Sequence, residues 1–241
     1  MARIDGRAND QLRPVEILPG INRFAEGSCL IRCGNTHVLC TASVEDKPPR
    51  HVPEGEGWIT AEYSMLPRAN RERSRRDISK GKLSPRSAEI QRLVGRALRA
   101  AVDLKKLGAR TITIDCDVLQ GDGGTRTASV TGGFVALSYA CWKLVEEGVI
   151  PEMPITTCVA AVSAGIVDDV PMLDLCYEED SSAMVDLNCV MNHEGEIIEL
   201  QGTGEGRAFT IAEQRQLVDL CAKGIREIQA IQKAVLEGGD A

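Results

Sequence analysis

Apolar and polar positions change rhythm several times along the chain. Residues 28–33 and 36–44 are dense in Val, Leu, Ile, Cys and Thr, with Gly34-Asn35 between them. That pattern predicts a β-hairpin with a two-residue turn, glycine standing where positive φ is required. Residues 45–57 are polar and contain Pro48, Pro49 and Pro53, which excludes a helix or a central strand. Residues 58–66 return to a strand-like pattern.

A helical spacing begins at Ser84, a good N-cap, with Pro85 at the first helical position. Ile90, Leu93, Val94, Ala97, Leu98, Ala101 and Val102 share one face, and Gly108 suits the stop, so one helix is expected over 85–107. Residues 110–120 alternate strictly: Ile112, Ile114, Cys116 and Val118 against Thr113, Asp115 and Asp117, the mark of a half-buried strand. A tight turn, Gly121-Asp122-Gly123-Gly124, leads to a second helix over 125–148, with Val130, Phe134, Leu137, Cys141, Leu144 and Val145 on one side. Strands are expected near 156–164, 172–177, 184–191 and 196–201, with turns at 178–182 and 192–195. The capping box Thr210/Glu213 opens a last helix that runs to about 236. The order is α+β, with mixed sheets and three main helices. No linker divides two cores, so residues 1–241 are expected to form one domain.

Composition narrows the class. Hydrophobic residues are 43% and charged residues 26% of 241, ordinary globular values that exclude a disordered chain. Aromatics are only 3%, so the core must be aliphatic. A formal charge of -7 excludes a globally basic nucleic-acid coat. No apolar run approaches the roughly 20 residues of a membrane span, and residues 1–7 (MARIDGR) lack the apolar core of an export signal. Neither membrane nor export is expected. The nine cysteines are odd in number and form no Cys-x-x-Cys pair. They are expected to be free buried thiols in a reducing cytoplasm, with a zinc site as the alternative.

Charge is unevenly placed. Residues 67–86 (PRANRERSRRDISKGKLSPR) hold eight basic residues, among them Arg68, Arg73, Arg76, Lys80 and Arg86, against two acidic ones; the rest of the chain sums to -13. Such a stretch can track a polyphosphate backbone, or can be a solvated loop; it has no interleaved aromatics for base stacking. The turn before the second helix, with Gly124, Thr125 and Arg126, combines glycines, a helix N-terminus and a cation, a physically sound phosphate cradle as well as a plain strand-to-helix turn. Arg86 stands at the start of the preceding helix. Asp180 and Asp186 flank one expected turn, where two carboxylates can converge on Mg²⁺ or act as an acid/base pair, or simply decorate a hairpin. Residues 202–207 (GTGEGR) imitate a dinucleotide fingerprint, but the third glycine comes one residue early and no βαβ unit surrounds it. His37, His51 and His193 show no metal spacing.

Taken together, residues 7–15 (RANDQLRPV), 25–28, 38–44, 57–63, 65–68, 115–127 (DCDVLQGDGGTRT) and 173–188 (LDLCYEEDSSAMVDLN) closely resemble the bacterial RNase PH family, in order and over nearly the whole chain. The resemblance implies the RNase PH fold, a hexameric ring built as a trimer of dimers, and phosphorolytic trimming of tRNA precursors and other RNA 3′ ends, with inorganic phosphate as co-substrate. It implies phosphate binding by Arg86, Gly124, Thr125 and Arg126, catalysis and Mg²⁺ binding by Asp180 and Asp186, and tRNA binding by Arg68, Arg73 and Arg76. Gly204 stands where alanine is expected, and the cysteine content is high; neither touches the implied chemistry. The end near residue 241, without appended RNA-binding domains, disfavours a polynucleotide phosphorylase. The alternatives are a non-catalytic RNA-binding ring subunit of an exosome-like complex, and a nuclease that uses water in place of phosphate.

Overall fold

Nine strands form two sheets among the described residues, and the longest helices pack between and outside them. The first sheet has the order β1 (Val15–Pro19), β2 (Gly27–Cys33), β3 (Thr36–Glu45), β5 (Thr111–Gln120), β4 (Trp58–Met65). Its neighbours are antiparallel except β4 and β5, which run parallel with α1 (Pro85–Arg99) in the crossover. The second sheet is antiparallel, ordered β7 (Val170–Leu173), β6 (Val159–Val167), β8 (Val185–Asn192), β9 (Ile197–Gly204). This computed structural model describes residues 3–238, with the side chains of residues 78 and 80 left out.

The helix α3 (Thr125–Glu146) lies between the sheets, against β2 and β3 on one side and β6 on the other. The approach to the first sheet is close enough to require glycine. A Cβ on Gly27 would lie 2.0 Å from the Ala136 carbonyl oxygen. Although α3 is the one described helix long and apolar enough to cross a membrane, it is spent on this core. The second long helix, α5 (Ile211–Glu237), covers the far side of the second sheet. Alternate residues of β6 divide between the two layers: Val159 and Ala161 join the cluster around α3, whereas Ala160, Val162, Ala164 and Ile166 pack with Leu217, Cys221, Ile225 and Ile228 of α5. With both faces covered, β6 reads as a continuous run of small apolar residues rather than an alternation.

The structure departs from the expected elements at two informative places. The helix expected over 85–107 is two pieces, because α1 ends at Arg99 and α2 (Leu104–Leu107) follows. Val102 leaves the helix to bridge Ile155, and the Asp103 carboxylate caps α2 by accepting from Lys105 and Lys106 N–H at 3.0 and 3.3 Å. The strand expected over 172–177 stops at Leu173, and the turn expected at 178–182 begins as a short helix, α4 (Tyr177–Asp180). Asp174 takes a left-handed φ of +53°, which breaks the strand. The Glu179 carboxylate then accepts the Cys176 N–H at 3.1 Å and caps α4. The alternation over 110–120 matches the buried Ile112, Ile114, Cys116 and Val118 of β5, and the Thr210/Glu213 capping box is formed.

Candidate active site

Strand β5, flanked by β3 and β4, delivers the chain to the turn at 121–124. Gly123 and Gly124 hold φ of +75° and +65°, a region L side chains avoid, and a Cβ on Gly123 would come within 2.5 Å of the Leu175 carbonyl oxygen. Thr125 opens α3, whose first N–H groups have no intrahelical acceptor and carry about half a positive charge. Ser84 caps α1 by accepting the Ser87 N–H at 3.0 Å, which puts Arg86 in the first turn of that helix. Arg86, Gly124, Thr125 and Arg126 thus line one cleft from the first-sheet side. Ser163 of β6, Asp180 of α4, and Asp186 and Asn188 of β8 line it from the second-sheet side.

Arg126 is anchored along one edge. Its Nη1 donates to Glu89 Oε1 at 3.1 Å and Gln201 Oε1 at 2.8 Å, with the side chain 17% exposed. Beneath the turn, Tyr63 Oη and Thr125 Oγ1 share a hydrogen bond of 2.8 Å. Burial raises the Tyr63 pKa above its ordinary value, so the phenol stays neutral.

The two carboxylates face a conflict. Burial first, and the Asp180 charge second, push the Asp186 carboxyl up to about 6, against the pull of Arg126 and of Asn188, whose Nδ2 donates to Asp186 Oδ2 at 3.1 Å. Burial also raises Asp180, against Arg86, Arg126 and Arg13. A cation beside the pair relieves both desolvation and mutual repulsion. The donors are oxygens, as a hard ion requires, and Mg²⁺ commonly rests on one or two carboxylates and completes its shell with water and phosphate. Among the described residues there is no group of three or more His, Cys, Asp or Glu that would make a closed cage. Two carboxylate oxygen donors suit a hard ion such as Mg²⁺ in kind and suit zinc poorly.

All six residues expected at the phosphate and metal positions line the same cleft. Asp180 and Asp186 meet across a short helix and a strand rather than across a hairpin. Arg68, Arg73 and Arg76 are exposed and stand outside it. Their segment is tied to the cleft at several points: Gly121 N–H donates to the Ala69 carbonyl at 2.8 Å, Arg71 pairs with Glu178 at 2.6 Å, and Arg75 lines an adjoining groove with Arg86 and Tyr63. The Lys80 side chain lies outside the described residues. Sequence reasoning missed Glu89, Ser163, Asn188 and Gln201. Ser163 was findable as the one hydroxyl in an apolar run, and Asn188 as the residue two past Asp186, hence on the same strand face. The GTGEGR stretch ends β9 and turns; no helix begins until Ile211, so it is no dinucleotide site.

The chain matches the 3′ exoribonuclease family twice in succession, its domain 1 over residues 11–142 and its domain 2 over residues 157–223. It is 53% identical over 237 residues to a ribonuclease PH of Syntrophomonas wolfei, covering 98% of this chain and 99% of the relative. It is 56% identical over 236 residues to a ribonuclease PH of Corynebacterium glutamicum, covering 98% and 96%. Its fold is similar to a chain of the Archaeoglobus fulgidus exosome with RNA bound to the active site, at a TM-score of 0.78 and 25% identity, covering 95% of this chain and 91% of that one.

Proposed function

Because the chain belongs to the 3′ exoribonuclease family of ribonuclease PH, we propose that its cleft holds inorganic phosphate against the last phosphodiester of an RNA. The enzyme is a phosphorolytic 3′ exoribonuclease and nucleotidyltransferase that processes tRNA. The observation that carries the site assignment is that Arg86, Gly124, Thr125, Arg126, Asp180 and Asp186, drawn from four elements and one turn, line a single cleft.

The reaction brings one anion onto another. A phosphate oxygen bonds to the terminal phosphorus, the bond from that phosphorus to the 3′ oxygen of the preceding nucleotide breaks, and a nucleoside diphosphate leaves. Charge neutralisation is therefore the main requirement. Arg86 and Arg126 supply two full positive charges, and the Gly124–Thr125 backbone with the α3 N-terminus supplies oriented donors. Glu89 and Gln201 hold the Arg126 fork in place before substrate arrives, so little reorganisation accompanies reaction. Asp180 and Asp186 would hold Mg²⁺, which when bound stabilises charge on the scissile phosphate and the departing 3′ oxygen. The reverse reaction adds nucleotides from diphosphates in the same cleft. A complete set of cations and carboxylates argues against a subunit that only binds RNA.

The tRNA body would lie along the exposed Arg68, Arg73 and Arg76, the strongest local attraction on an acidic protein. The working particle would be a hexamer, a trimer of dimers, in the cytoplasm. Nine free cysteines support a reducing compartment. The two matched parts would act as one domain, since the cleft draws residues from both. The test is to incubate the protein with tRNA bearing a 3′ extension, with and without phosphate, and identify the released nucleotides. Nucleoside diphosphates formed only with phosphate are expected. Monophosphates at full rate without phosphate would make the enzyme hydrolytic.

A further inference from the structure

Residues 3–13 form neither helix nor strand, yet they bury their arginines: Arg3 and Arg13 are each 4% exposed. A buried guanidinium must have its donors satisfied, so its partners show what the segment holds. Arg13 grips Asp174. Its backbone N–H and Nε donate to Oδ2 at 2.8 and 3.1 Å, and Nη2 to Oδ1 at 2.7 Å. The far side of the same fork reaches the phosphate-binding turn, Nη1 donating to the Asp122 carbonyl and Nη2 to the Gly123 carbonyl at 3.5 Å. Thr36 Oγ1 donates to that Gly123 carbonyl as well, at 2.6 Å. In a trans peptide the N–H points opposite the C=O. Holding the Gly123 carbonyl toward Arg13 and Thr36 therefore aims the Gly124 N–H the other way, and Gly124 lines the cleft.

The other end of the segment holds the carboxylate side. Arg3 Nε and Nη2 donate to the two oxygens of Glu179 at 2.8 and 2.6 Å, and its Nη1 and Nη2 donate to the Leu173 and Asp174 carbonyls at 2.7 and 3.1 Å. Glu179 directly precedes Asp180 on α4. Arg7 Nη2 donates to the Asp174 carbonyl at 3.1 Å. Asp174 keeps its left-handed backbone because side chain and carbonyl are both fixed by this strap. A buried ion network is a poor source of net stability, since desolvation offsets attraction, whereas fixed geometry is something it supplies well.

We propose that the strap of residues 3–13 is a positioning device for the reaction, in which Arg13 orients the phosphate-binding turn, Arg3 orients α4 and hence Asp180, and Asp174 joins the two. The proposal rests on the cleft assignment given above. The experiment measures phosphorolysis of a short 3′-tailed RNA at varied phosphate for the unchanged protein, Arg13→Lys, Arg3→Gln and Arg126→Ala, with thermal unfolding of each. Arg13→Lys keeps a charge on Asp174 but loses the fork, so its phosphate KM should rise about tenfold or more with a smaller change in kcat. Arg3→Gln should lower kcat about tenfold or more with phosphate KM nearly constant, misplacement of a reacting group by about 1 Å being enough for such losses. If Arg126→Ala phosphorolyses normally, the cleft assignment itself fails. If Arg126→Ala is impaired while folded Arg13→Lys and Arg3→Gln keep both constants, the strap proposal is overturned and the cleft stands. Equal losses of kcat and KM that follow the loss of thermal stability make the strap merely structural and also overturn it. Should Arg13→Lys not fold, the kcat-against-KM split of Arg3→Gln decides alone.

Discussion

Asp186→Asn should make the protein more stable and inactive. The Asp186 carboxyl is pushed from 3.8 up to about 6, burial being the first cause and the Asp180 charge the second. A shift of that size corresponds to at most about 3 kcal/mol between protonation states. Relaxation and water in an open cleft reduce the cost, so a gain of about 1–3 kcal/mol is expected from removing it. The sign follows from linkage. Below 3.8 the group is neutral both folded and unfolded, and it costs nothing. As pH rises toward about 6 the unfolded chain sheds the proton while the folded chain keeps it, so stability falls; above about 6 the penalty is complete and constant. Asparagine has no such penalty, and its side-chain oxygen can still accept from Asn188 Nδ2. The assay is thermal unfolding of both proteins in EDTA without phosphate, from about pH 4 to about pH 8. At this chain length the gain amounts to roughly 2–10 °C at neutral pH, shrinking steeply as the pH falls toward about 4. A difference that does not vary with pH, or a variant less stable at neutral pH, would refute the electrostatic reasoning. Turnover of the same variant with Mg²⁺ should be abolished while RNA binding remains; near-normal activity would remove Asp186 from the site.

Arg126→Ala should raise the apparent phosphate KM and slow the reaction by at least tens of fold, a charged contact in a cleft contributing about 2–4 kcal/mol; steady-state kinetics with an unchanged KM would contradict its role. Replacing Arg68, Arg73 and Arg76 by alanine should weaken trimming of tRNA, spare short single-stranded RNA, and make the salt dependence of tRNA binding shallower by about 0.7–0.9 per lost phosphate contact. Equal losses on both substrates would move those arginines into the active site. Sedimentation should report about six chains per particle, and a fully active monomer would contradict the ring.

The local periodicities were legible wherever one face of an element meets the core. The alternation of β5 and the capping box of α5 are such cases, because burial and capping act within a few residues. The break between α1 and α2 was not, since apolar spacing continues through Ala101 and Val102 while the cause, pairing of Val102 with Ile155, lies about 50 residues away. The same division holds in the site. Gly124, Thr125 and Arg126 form one contiguous motif, and Asp180 and Asp186 lie close in sequence. Arg13 and Asp174 are 161 positions apart, and Arg126 and Gln201 are 75 apart. No spacing rule joins such pairs; only the packing of the two sheets around α3 brings them together.

That placement of α3 also decides how the molecule can fail. The match to the first part of the family ends at residue 142, inside the helix, and the match to the second begins at residue 157. Neither part has a finished surface without the other. A fragment ending after α3 would present to water the helix face that meets β6, and a fragment starting at β6 would present Val159 and Ala161 bare. Each is an apolar patch of the kind that drives aggregation. On that packing the two sheets are expected to share one cooperative unfolding transition, in which loosening either one exposes the interior of both.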